Sequence, residues 1–155
     1  MKAITLWQPW ATFMALGLKR NETRSWPTRH RGELAVCSAV RRPPDLSLEV
    51  MRRLMETPYF NKDEDEVVAD TLRKLPYGKV LCVVTVADCV PSRRFGPDGD
   101  LRLDPGEFDL GDYRPGRWAW RTATVFRLPR PVGVVGRQGL FELDPGTEAA
   151  VKAQI

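Results

Sequence analysis

The sequence predicts an α+β fold: a closed or half-closed β-barrel with flanking and inserted helices, formed as one domain over residues 1–155. Three observations predict it. Segments that alternate apolar and polar residues recur along the chain with uneven lengths, as strands do. Two segments of helical period lie side by side between two of those strands, so the helices are inserted into a sheet. No repeats and no linker interrupt the pattern, and 43% hydrophobic with 28% charged residues is ordinary globular composition.

The alternation around AITLW predicts a strand over residues 2–6. Pro9 then suits the first turn of a helix PWATFMALG, which Gly17 ends. The next stretch, GLKRNETRSW, reads two ways. A helix would gather Lys19, Glu22 and Trp26 near one face, but Asn21, Thr23 and Ser25 are mediocre helix formers and Pro27 follows. A strand over 20–25 places Glu22, Arg24 and Trp26 on one side and is the better reading. After the turn HRG, ELAVCSAV predicts a strand over 33–39.

DLSLEVMRRLMET puts Val50, Met51, Leu54 and Met55 on one helical face. DEDEVVADTLRKL repeats the spacing with Val67, Val68, Thr71 and Leu72, and its leading acids suit a helix amino terminus. KVLCVVTVADCV, a strand over 79–90, is apolar enough for the centre of a sheet. Residues 96–116 read as loop, and RWAWRTATVFRL predicts a strand over 117–129 with Trp118 and Trp120 on one face. The chain ends in a turn, a short strand and a helix capped near Asp144 or Thr147.

The longest apolar run, VLCVVTVA, is far short of the roughly 20 residues a membrane helix needs, which predicts no membrane span. The first residues carry Lys2 but no h-region and no cleavage site, which predicts a cytoplasmic protein. Cys37, Cys82 and Cys89 lack zinc-knuckle or redox spacing and read as reduced, buried thiols. His30 is the only histidine, so no metal is predicted, and no nucleotide-cofactor glycine motif calls for a cofactor. Charge is uneven: residues 1–42 carry eight Lys/Arg against two acids, whereas residues 43–78 carry five against eight. Eighteen of the 24 basic residues are arginine, the side chain suited to phosphate and to base stacking.

QPWA, then GLKRNETRSW, RGELAVCSA and GRQGLF, in that order, resemble the ASCH domain, a branch of the PUA-like superfamily. The pattern G-x-K-x-x-E-x-R of that family is matched by Gly17, Lys19, Glu22 and Arg24, and the likeness runs from about Ile4 to Phe141. It implies a PUA-like barrel whose cleft, lined partly by this motif, binds RNA or nucleotides. Some relatives look nucleolytic, and some small ones hydrolyse an acylated nucleoside. Lys19 and Arg24 would then supply charge for a phosphate, and Glu22 between them would orient the cations and accept from a base or sugar. Gln8, Trp10, Trp26, Arg29, Trp118 and Gln138 complete the candidate contacts, the tryptophans as stacking platforms.

Two classes stay open. One is an RNA- or nucleotide-binding ASCH module acting in RNA metabolism or translation, with or without weak ribonuclease activity. The other is an amidohydrolase acting on a modified nucleoside, with Lys19 and Glu22 as catalytic groups. The acyl-nucleoside-hydrolysing relatives carry threonine at the position of Glu22, and a carboxylate there favours the charged lysine, which weighs against a lysine base.

Overall fold

The computed structural model describes residues 1–43, 45–62 and 67–155. Six strands form one mixed sheet: β1 (Lys2–Leu6), β2 (Asn21–Arg24), β3 (Gly32–Ser38), β4 (Lys79–Pro91), β5 (Trp118–Gly133) and β6 (Leu140–Glu142). Their order across the sheet is β2-β5-β4-β3-β1-β6. Only β1 and β3 run parallel, with Ala3 opposite Ala35; the other pairs are antiparallel. Arg24, on the β2 edge, donates from Nη2 to the carbonyl of Thr5 in β1 at 3.1 Å. These strands stand four places apart in the sheet, so the sheet curls into a half-barrel and Arg24 reaches across its open side.

Five α-helices accompany the sheet among the described residues: α1 (Trp10–Ala15), α2 (Leu48–Met55), α3 (Val68–Lys74), α4 (Pro105–Phe108) and α5 (Pro145–Lys152). This is the α+β half-barrel that the alternation and the inserted helical segments predict, and it is consistent with the PUA-like fold that the resemblance implies. Helix α1 buries Ala11, Phe13 and Met14 and plugs the barrel against Ile4, Val36, Val84 and Trp120. A second cluster fills the other sheet face with Ala35, Val80, Leu128 and Val151 of α5. The inserted helices close over Phe13 with Val50, Leu54 and Leu75.

Details depart from the sequence reading. Helix α2 buries only Val50 and Leu54, one i, i+4 pair, while Met51 is half-buried and Met55 is largely exposed. Those two residues pack into the cluster of Phe13, Leu75 and Leu110. In α3, Thr71 is the buried residue and Val67 lies outside; the predicted leading acids, 63–66, fall outside the described residues. The loop at 96–116 contains the short helix α4, preceded by a 3-10 turn at Ser92–Phe95. The terminal helix is capped as expected, Asp144 accepting from the amide of Thr147 at 2.9 Å. No helix among the described residues is long and apolar enough to cross a membrane.

Cys37 and Cys82 are buried free thiols, both pushed up to about 12 by burial, whereas Cys89 is half-exposed and its sulfur accepts from the amide of Thr28 at 3.3 Å.

Candidate functional site

The motif glycine has a local reason. Gly17 ends α1 with φ +72°, a conformation costly for other residues, and the chain folds back so that the amides of Leu18 and Lys19 both reach the carbonyl of Phe13. That reversal drives the Lys19 side chain inward. Lys19 is 1% exposed, its Nζ donates to the carbonyl of Asn21, and Glu22 Oε2 stands 3.7 Å away. The other carboxylate oxygen of Glu22 lies 2.8 Å from Nε of Arg24, a charge contact without the alignment of a directed hydrogen bond. Lys19, Glu22 and Arg24 therefore form one row of alternating charge.

The row forms the floor of a cleft of about 390 Å³, a volume suited to a small ligand. Trp7 and Trp10, which enter and begin α1, supply aromatic wall; Trp7 is 45% exposed. Opposite stand Asp45 and Ser47 at the entry to α2, and Asp109, Asp112 and Arg117 from the segment before β5. Gly111 permits this segment to close in, because a Cβ there would sit 2.5 Å from the Tyr113 ring and 3.2 Å from Thr23. Arg117 is placed by Asp112, 3.2 Å from its Nε, and by the carbonyl of Thr23, which accepts from Nη2 at 3.3 Å. Arg114, hydrogen-bonded to Asp112, holds that carboxyl down to about 2, with Arg117 adding to the effect.

Three cations, Lys19, Arg24 and Arg117, thus share the cleft with four carboxylates, Glu22, Asp45, Asp109 and Asp112. The basic bias of residues 1–42 does not produce a positive hole. The cleft presents mixed donors and acceptors beside aromatic rings, which suits a neutral polar ring better than a bare phosphate.

The remaining sequence candidates sit elsewhere. Gln8 is 0% exposed: its Oε1 accepts from the amide and hydroxyl of Thr12 at 3.1 and 2.8 Å, and its Nε2 donates to the carbonyl of Pro76 at 2.8 Å. It ties α1 to the segment before β4 and has no face left for a ligand. Gln8→Ala is accordingly expected to lower stability by about 2 kcal/mol, read as a urea midpoint, without weakening ligand binding by the folded protein. Trp26 packs edge-to-face on buried Trp120, with ring centroids 4.7 Å apart at 77°, and the Trp120 indole donates to the carbonyl of Trp26 at 3.3 Å. Arg29 and Gln138 are exposed and lie outside the cleft. Trp118 lines a separate recess with Pro91 and Pro115.

Sequence reasoning missed Trp7, Asp112 and Arg117. Trp7 was detectable, since it directly precedes the QPWA segment; Asp112 and Arg117 carry no pattern, because the fold brings their segment over β2 from far along the chain.

A half-barrel plugged by a helix, with a cleft at the mouth where its first strand enters that helix, is the architecture of a PUA-like domain. Residues 4–98 match the ASCH domain, and the chain belongs to the ASCH family. It is 32% identical over 92 residues to the mouse Activating signal cointegrator 1 and 30% identical over 92 residues to the human protein. Those alignments cover 59% of this chain and 15% of each relative, so the chain spans a small part of their length. Among solved structures it resembles the ASCH protein of Zymomonas mobilis, with TM-score 0.54 and 14% identity over 98% of this chain and 93% of that one. A variant of the same protein gives TM-score 0.53 at 13% identity, covering 98% of this chain and 96% of that one.

Proposed function

We propose that this ASCH domain, as one unit over residues 1–155, binds single-stranded RNA by receiving one nucleobase in the cleft, and acts in RNA metabolism or translation-related regulation in the cytoplasm. The observation that carries the reading is the charge-alternating floor of Lys19, Glu22 and Arg24 beneath Trp7 and Trp10. Base edges present donors and acceptors together, and a cation–carboxylate–cation row answers both, while the tryptophan faces bind the ring. The ASCH family is associated with RNA binding, which agrees with this chemistry. Phosphate falls to the side chains whose guanidinium hydrogens are not all engaged, Arg24 and Arg117.

Cleavage is the weaker reading. The Lys19 ammonium already donates to Asn21 and faces Glu22, the position of a fixed donor and not of a base about to accept a proton. In this reading Lys19 and Glu22 orient the base.

Titration of a short single-stranded RNA at two salt concentrations tests the proposal. Trp7→Ala is expected to weaken binding about 5- to 150-fold at unchanged salt slope, because stacking releases no counterions. Arg117→Ala is expected to flatten the slope by about 0.7, one phosphate contact on a single strand. Absence of wild-type binding at low salt would remove the RNA reading. Shortened RNA recovered after incubation, with turnover falling about 10²-fold in Glu22→Gln, would establish the hydrolase instead.

A further inference from the structure

The molecule contains a second recess of about 340 Å³ that shares one residue with the cleft, Arg117. Its walls are Pro91, Pro115 and Trp118, with Arg93 at its side. Gly116, at φ +84°, turns the chain into β5, and nothing lies within 4 Å of the point where a Cβ would project. Pro91 stands directly across the strand pair from Trp118. Trp118 also differs from the tryptophan that shares its strand face: Trp120 is buried against Trp26, whereas the Trp118 ring has no aromatic partner among the described residues and is half-exposed. Arg93 is exposed and no carboxylate pairs with it among the described residues. An apolar, ring-bearing shelf flanked by two arginines matches a planar aromatic ring joined to an anion.

We propose that this shelf is a second nucleotide subsite: the base next to the one held in the cleft stacks on Trp118, and the phosphodiester joining the two lies over Arg117. The occupant is a nucleobase because Arg117 lines both the cleft and the shelf, and a strand passing from one to the other carries a phosphate at the crossing and a ring beyond it. Arg93 meets the following phosphate. The proposal rests on the RNA reading of the cleft, and the recognition it describes is stacking, indifferent to which base is presented.

The test compares four probes: a nucleoside monophosphate, an intact trinucleotide, and two trinucleotides with an abasic residue at the 5′ or the 3′ end. Wild type is expected to bind the intact trinucleotide about 5- to 150-fold more tightly than one of the two abasic forms. Trp118→Ala is expected to bind intact and abasic forms equally. Trp118→Phe, which keeps an aromatic ring and the packing of the shelf, is expected to retain part of the difference and serves if the alanine variant does not fold. Equal wild-type affinity for the intact and both abasic trinucleotides would overturn the shelf while leaving cleft binding of the monophosphate and trinucleotide intact. Wild type that binds none of the probes would overturn the cleft reading, and the shelf with it. A difference that survives in a folded Trp118→Ala would place the second base elsewhere and also overturn the proposal.

Discussion

Glu107→Ala is expected to lower stability by about 3–4 kcal/mol and to weaken RNA binding along with it. Strand β2 carries Glu22 and Arg24, pairs with β5 on one side only, and is an edge of the sheet. Its other side is covered by the loop that contains α4. The Glu107 carboxylate, 5% exposed, accepts from the amides of Arg20 and Asn21 at 2.6 and 2.9 Å and from the hydroxyl of Tyr113 at 3.3 Å. The hydroxyl of Thr23 accepts from the amide of Asp112 at 2.9 Å, which pins the same loop further along. One carboxylate therefore does at the start of β2 what a neighbouring strand would do. Hydrogen bonds to a charged acceptor contribute about 1.5–3 kcal/mol each, and alanine leaves two backbone donors without a partner. Glu107→Gln keeps one accepting oxygen and is expected to lose about half as much. Burial, reinforced by the adjacent Glu107 charge, pushes the Tyr113 phenol well above its ordinary range, so it stays a donor at neutral pH; Tyr113→Phe should cost about 1 kcal/mol. Urea midpoints at constant m-value measure all three. A Glu107→Ala protein within about 1 kcal/mol of wild type would show that the edge is held by other contacts.

The strands were legible in the sequence wherever one face is buried and the other is not, because that condition writes a period of two into the residues. The far end of β5 was not. Pro129 and Pro131 argue for a stop near 129, yet the strand continues to Gly133, pairing Val132 with Val80. Strand β2 reaches only as far as Arg121, so the later part of β5 is an open edge, where a residue without an amide hydrogen is tolerated. The floor of the cleft was legible because Lys19, Glu22 and Arg24 are close in sequence and Gly17 marks the turn that delivers them. Its opposite wall was not, since Asp112 and Arg117 reach it only through tertiary folding. Gln8 shows the converse failure: a polar residue inside a recognisable segment reads as a contact until its three hydrogen bonds are seen to be internal.

Glu22→Ala is expected to destabilise the protein by about 3 kcal/mol, because it leaves a buried ammonium without its counter-charge. Breaking a buried pair from one side costs about 3–5 kcal/mol, whereas replacing both members by neutral groups of similar size is often neutral. The lower end applies, since Lys19 lies 3.7 Å from Glu22 and keeps its bond to the carbonyl of Asn21. The double variant Lys19→Met with Glu22→Gln should therefore recover most of the loss, and together with the single variants Lys19→Met and Glu22→Gln it closes the cycle that gives the interaction energy of the pair. Binding separates two roles that stability alone does not. If Glu22 only holds Lys19 and Arg24 in place, Glu22→Gln weakens all short RNAs by a common factor. If its carboxylate accepts from the bound base, the amide, which both donates and accepts, changes the order in which oligo-A, oligo-C, oligo-G and oligo-U bind. The expected result is the changed order, because Glu22 lines the cleft with Arg24 2.8 Å beside it. An unchanged order, at whatever affinity, would assign Glu22 to positioning Lys19 and Arg24 and not to reading the base.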